Sequence, residues 1–214
     1  MKFLFIVQGE GRGHFTQAIT LEDMLLRNGH QVVEVLVGKS SSRTLPGFFN
    51  RSIQAPVKRF TSPNFLPTAE NKRADLKKSF AYNLIHVPEY FRSMCYINQR
   101  IKETGAEVVI NFYELLTGLT YALFRPSVPY ICVGHQYLFL HRDFESPDKN
   151  SCQLWMLRFF TRMTALRSSK KLALSFLEME QDDMNQIVTV PPLIRQEVTA
   201  IRPETVSYTH LTLP

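Results

Sequence analysis

The sequence predicts an α/β fold: a doubly wound, mostly parallel sheet with helices on both faces. Three observations carry this expectation. The chain opens on Lys2-Phe-Leu-Phe-Ile-Val-Gln8, a continuous apolar run of the kind found in strands buried on both faces. Further apolar runs recur along the chain, separated by stretches of helical period. The first run passes through a glycine turn, Gly9-Glu-Gly-Arg-Gly13, straight into such a stretch, giving strand, turn and helix within thirty residues.

The elements follow in order. Residues 14–28 are helical in pattern, since Phe15, Ala18, Ile19, Leu25 and Leu26 share a face, and Gly29 is placed to stop the helix. Residues 31–37 form the second strand and complete a β-α-β unit, whose crossover is right-handed in nearly all proteins. Residues 38–42 read as the loop at its carboxyl end. Four prolines between residues 43 and 70 predict an irregular excursion with one short strand at 57–60. Residues 73–103 repeat apolar positions at threes and fours, with Pro88 predicting a kink or a break into two helices. Strands are expected at 106–112 and 128–133, helices at 115–124 and 151–167, and closing strands at 171–176 and 186–190.

Composition narrows the function. With 44% hydrophobic residues and 16 phenylalanines, the chain has material for a sizeable core. Cys95, Cys132 and Cys152 show no paired or metal-ligand spacing, so reduced, mostly buried thiols are expected, and no metal site. No run reaches transmembrane length, and the apolar opening is too short for a signal peptide. The net charge is +6, and residues 39–78 hold nine basic residues against only Glu70 and Asp75. That segment suits an anionic membrane surface or a phosphorylated substrate, or is a solvated face. No nucleic-acid motif accompanies the charge, so no nucleic-acid partner is expected.

The glycine turn invites a dinucleotide reading, but that fingerprint needs a third glycine where His14 stands, and an acid at the end of strand two. The nearest acid, Glu34, lies mid-strand. His14 is the sharper feature. At the first turn of a helix, beside Arg12, the positive dipole end favours a neutral imidazole, and a neutral imidazole at a cleft mouth accepts a proton from a hydroxyl. A capping histidine that merely fills the turn is the plainer alternative.

Gly9-Glu-Gly-Arg-Gly-His-Phe-Thr-Gln-Ala18 after a first strand resembles the opening of the MurG-like and UDP-glycosyltransferase-like enzymes of glycosyltransferase fold B (GT-B). The likeness is closest over residues 1–40 and follows the order of elements over 41–200. It implies the Rossmann-like N-terminal half of GT-B, which holds the acceptor while a second domain grips a nucleotide-sugar. In many members the loop histidine deprotonates the acceptor hydroxyl, helped by a carboxylate after a later strand. His14 matches the histidine. Glu114 is the best match for the carboxylate, with Asn111 the alternative, and Glu114 also reads simply as an acid at a helix start.

Ligands of open α/β sheets lie outside the carboxyl ends of the strands. Gly9, Gly11, Arg12, Gly13, Phe15 and Thr16 of the first turn, Asn111 after a later strand, and His135 and Gln136 after the next are therefore candidate substrate contacts. The resemblance further implies inverting transfer of a hexosyl group to an acceptor hydroxyl, with the nucleotide-sugar as co-substrate and no other cofactor. No metal is needed if cationic groups and helix ends of the second domain neutralise the leaving diphosphate. The acceptor is expected to be a small molecule or a lipid-linked one, the site cytoplasmic, with peripheral membrane contact in the lipid-linked case. Two other classes stay open: a dinucleotide-binding enzyme, and a binding module that keeps the fold without the chemistry.

Residues 1–190 are thus expected to form the acceptor-side domain, and 191–205, opening on Pro191-Pro192, a linker toward a donor-binding domain that the chain lacks. The fragment alone is expected to be inactive. Residues 206–214 fit no element; Ser-Tyr-Thr-His-Leu-Thr-Leu-Pro resembles translated sequencing-adapter read-through and is expected to be a non-native tail.

Overall fold

The computed structural model describes residues 1–39, 44–63, 83–146 and 151–200. Seven strands form one sheet in the order β3-β2-β1-β4-β5-β6-β7, every neighbouring pair parallel. They are β1 Lys2–Gln8, β2 Gln31–Lys39, β3 Val57–Thr61, β4 Val108–Phe112, β5 Tyr130–Val133, β6 Lys170–Leu174 and β7 Ile187–Val190. The helices are α1 Arg12–Arg27, α2 Gly47–Ser52, α3 Val87–Glu103, α4 Leu115–Phe124, α5 Cys152–Thr164 and α6 Gln196–Thr199, with a 3₁₀ turn at His135–Leu140.

Alternate residues of β1 divide the core. Phe3, Phe5 and Val7 join Phe15, Ala18 and Ile19 of α1 and Phe49 of α2 on one face. Leu4 and Ile6 join Ile97 and Ile101 of α3 and Leu116 and Tyr121 of α4 on the other. The sheet is therefore covered on both sides, as the unbroken apolar strands predict. Each fully buried Phe or Leu contributes roughly 1.5–3 kcal/mol relative to exposure.

Several expectations are corrected in detail. Pro88 lies in the first turn of α3, where its missing N–H costs nothing, and a turn at His86 separates α3 from helical residues 83–85, so of the two expectations the break holds and the kink does not. The excursion after β2 contains the short helix α2, six residues being too few to show a period. β2 runs on through Gly38 and Lys39. Cys132 is buried, and burial pushes its thiol up to about 11, but Cys95 and Cys152 are exposed, so the thiols are not mostly buried. Within residues 191–200, α6 lies beside α1, where the Arg27 guanidinium donates to Gln196. The loop at 40–43, the helical pattern at 73–82 and the tail at 206–214 lie outside the described residues. Among the described residues no helix is long and apolar enough to cross a membrane.

Glu34, the mid-strand acid, is buried and held by Arg100 of α3 at 2.7 Å and Lys58 of β3 at 2.8 Å. It ties sheet to helix and is not at the strand end, where a ribose acid would stand.

Candidate active site

The strand order reverses at β1, with β2 on one side and β4 on the other. Their carboxyl ends form the switch point at which open α/β sheets bind ligands. The register pairs Val7 with Phe112, so the turn after β1 meets Tyr113 and Glu114 directly. Gly38 near the end of β2 and the turn after β5 border the same edge.

The glycine turn works by close approach, not by left-handed backbone. Gly9 N donates to Gly38 O at 2.7 Å, and a Cβ on Gly9 would come within 2.5 Å of that oxygen. Gly38 faces the Glu114 carboxylate so closely that a Cβ there would overlap it. Gly11 is the N-cap of α1 in extended conformation, and a Cβ on it would sit 3.4 Å from His14 Cδ2. Among the described residues the N-cap Gly11 gives α1 no side-chain cap, and no acid occupies its first turn. Arg12 and Gly13 are exposed beside it.

His14 is buried, its ring stacked on Tyr113 with centroids 5.7 Å apart and planes 16° from parallel. The Gln136 amide nitrogen lies 3.3 Å from Nε2 and donates to it in the tautomer that carries its proton on Nδ1. Among the described residues Nδ1 is buried with no hydrogen bond of ordinary geometry, the Gln17 side chain being its nearby polar group. Burial pushes the imidazole down to about 4, with Gln17 opposing the fall and His135 adding to it. The ring is thus neutral at pH 7, as the sequence predicts, but mainly because it is desolvated. His135 itself is largely exposed, its pKa lowered by partial burial.

Glu114 does not pair with His14. It is the N-cap of α4: its carboxylate accepts from Leu116 N at 3.1 Å and from Ser62 Oγ at 2.5 Å. Oε2 is buried without a partner. Burial raises its pKa to about 7, opposed by those hydrogen bonds and reinforced by Glu10. Asn111 is fully buried and not a ligand group: Nδ2 donates to Glu114 O and Thr164 O, and Oδ1 accepts from Glu114 N. It builds the turn. Phe15 likewise faces the core, 4.6 Å from Phe49, and Thr16 donates back to Gly13 O at 2.8 Å. Of the expected residues, the structure brings together Gly9, Gly11, His14 and Gln136, and keeps Phe15 and Asn111 away from solvent.

Tyr113 was not singled out by sequence. Its backbone is left-handed, φ 61°, and its hydroxyl shares a hydrogen bond with Thr161 Oγ1 at 2.8 Å. The one signal available was an aromatic residue immediately after a predicted strand, which by itself reads as core.

An all-parallel doubly wound sheet with an uncapped glycine turn and a histidine at its switch point defines a Rossmann-like domain, the N-terminal half of GT-B. The chain belongs to glycosyl transferase family 1, whose family model matches residues 1–211. No curated protein matches it in sequence. Among solved structures it is similar to Phytolacca americana UGT2 complexed with UDP-2-fluoro-glucose and pterostilbene, at 13% identity and TM-score 0.57, covering 91% of this chain and 55% of that one. It is similar to TcCGT1 in complex with UDP, at 10% identity and TM-score 0.55, covering 97% and 53%. Arabidopsis thaliana UGT89C1 complexed with UDP-L-rhamnose aligns at 15% identity and TM-score 0.52, covering 92% and 49%. The chain spans about half the length of these structures.

Proposed function

We propose that this chain is the acceptor-side half of an inverting hexosyltransferase that uses a UDP-sugar, His14 being the general base. The observation that carries the reading is the neutral imidazole of His14 at the switch point, beside the uncapped start of α1. In the reaction, the acceptor oxygen forms a bond to the anomeric carbon as the bond from that carbon to the diphosphate breaks. The acceptor proton passes to the imidazole and the electron pair leaves with the nucleoside diphosphate. For Nε2 to take the proton, the Gln136 amide must give way to the acceptor hydroxyl. Gly11, on which a Cβ would stand 3.4 Å from His14 Cδ2, keeps that side of the ring free of a side chain.

Support for a UDP-sugar comes from the similar structures, which hold UDP, UDP-L-rhamnose or UDP-2-fluoro-glucose, one of them beside pterostilbene. Their doubled length supports a donor-gripping domain beyond this one, with residues 191–205 leading toward it. No metal is assigned, the leaving diphosphate being left to cationic groups of that domain. A lipid-linked acceptor at the cytoplasmic face of a membrane is supported by α5, which exposes Trp155, Met156 and Phe159 and carries Arg158 and Arg162 with no acid. A second reading, a binding module without turnover, is favoured by the burial of His14, which has no carboxylate partner among the described residues.

The test joins this domain to its natural continuation and supplies a panel of UDP-sugars with hydroxylated acceptors. Transfer by the whole protein, none by the 214-residue chain, and a large loss in His14→Ala are expected. Absence of transfer by the whole protein would leave the binding-module reading, and normal turnover in His14→Ala would remove His14 as the base.

A further inference from the structure

Tyr113 holds a backbone conformation that bulky residues rarely adopt, φ 61°, at the carboxyl end of β4. Such strain persists only where the surroundings over-determine it. Here the Asn111 side chain grips the next residue from both sides, accepting from Glu114 N at 2.9 Å and donating to Glu114 O at 3.1 Å. The Tyr113 hydroxyl is fixed to Thr161, and the ring is walled by Tyr137 at 5.8 Å and Phe160 at 5.6 Å. One ring face lies against the imidazole of His14.

We propose that Tyr113 is a positioning residue for His14, its strained turn serving to present one aromatic face that sets the imidazole plane, while Gln136 sets the rotation within that plane. The inference rests on the reading of His14 as the base. Two constraints are needed to orient a planar ring, a plane and an in-plane direction, and these two residues supply one each. The turn that places the ring is built by Asn111 and capped by Glu114, so the carboxylate acts on the imidazole through Tyr113 and not by contact. A neutral aromatic partner also differs from a carboxylate in kind: it carries no charge to pair with the protonated imidazole and offers it only the weaker attraction of a ring face.

The closing experiment reads the imidazole itself, by proton and nitrogen NMR of the 214-residue chain. The groups facing it are Tyr113, Gln136, Gln17 and His135, the last being the one that charges. The ring protons of His14 are expected to be displaced upfield by the Tyr113 ring, with a single tautomer carrying its proton on Nδ1. Tyr113→Phe should preserve both signatures. Tyr113→Leu should abolish the upfield displacement and let the ring titrate closer to its ordinary value of 6.5. Gln136→Leu should keep the upfield displacement but mix the tautomers. Unchanged signals in Tyr113→Leu would overturn the proposal. Should that variant not fold, the native chain decides alone: ring protons without the upfield displacement, or tautomers already mixed, would overturn it too. Because sugar transfer is not the readout, failure here is distinct from failure of the base reading, which His14→Ala tests.

Discussion

His14 and Tyr113 stack nearly parallel, 5.7 Å between ring centroids, although 99 positions separate them in sequence. The contact bridges the ends of β1 and β4, the two strands at which the sheet reverses its order. It closes the imidazole off from solvent and makes the site a feature of tertiary packing, beyond what the glycine turn alone would define.

Burial of two titratable groups at this edge sets opposite pH slopes. Glu114 is raised from an ordinary 4.5 to about 7, so the folded state holds its proton more tightly and stability falls as pH rises across that window. His14 is lowered from 6.5 to about 4, so stability is present above 6.5 and is lost as pH falls toward 4. Each effect is worth about 3 kcal/mol at full extent, and between 4.5 and 6.5 they oppose one another. Denaturant titrations should therefore show Glu114→Gln gaining on the native chain as pH rises from 5 to 8, and His14→Gln gaining as pH falls from 7 to 4. Parallel pH curves for all three chains would contradict this.

Gly38 and Gly13 should respond oppositely to alanine. A Cβ at Gly38 would collide with the Glu114 carboxylate and with the Phe60 ring, whose Cε2 would be 2.8 Å away, and overpacking of this kind costs about 1–3 kcal/mol. Gly13 has open space within the first turn of α1, so Gly13→Ala should be neutral or stabilising by up to about 1 kcal/mol. Thermal melts of the two variants decide the point.

Asn111→Leu should cost more than either. It removes three hydrogen bonds inside the core and strands Glu114 N, Glu114 O and Thr164 O. Each buried group left unsatisfied costs about 1–3 kcal/mol. Loss of cooperative unfolding, or a midpoint drop far beyond that of a surface variant, is the expected result in circular dichroism.

Much of the fold was legible because it rests on local pattern. The run Lys2–Gln8, the helix Leu115–Phe124 and the stop at Gly29, whose φ is +73°, all stand where sequence places them. The parallel sheet follows from strands alternating with helices, and it brings the candidate turns to one edge. The partners within that edge were not legible. Whether Glu114 caps a helix or faces His14 depends on which side of its turn the carboxylate lies, and the deciding contact, Ser62 Oγ, is 52 residues away. Gln136, beside His14, is 122 residues away. Phe15 reads from sequence both as part of the apolar face of the helix and as a contact in the first turn, and the helical period turns it into the core against Phe49.

The most direct test of His14 as the base is kcat/KM against pH for sugar transfer by the whole enzyme, native and His14→Ala. Because the imidazole is held near 4, the native acidic limb should fall around that value instead of near 6.5, and His14→Ala should lose the limb along with roughly 10²–10⁴-fold of kcat. Some stability should go with it, since the ring is buried. Near-normal turnover in a folded His14→Ala enzyme, with the acidic limb intact, would contradict the account.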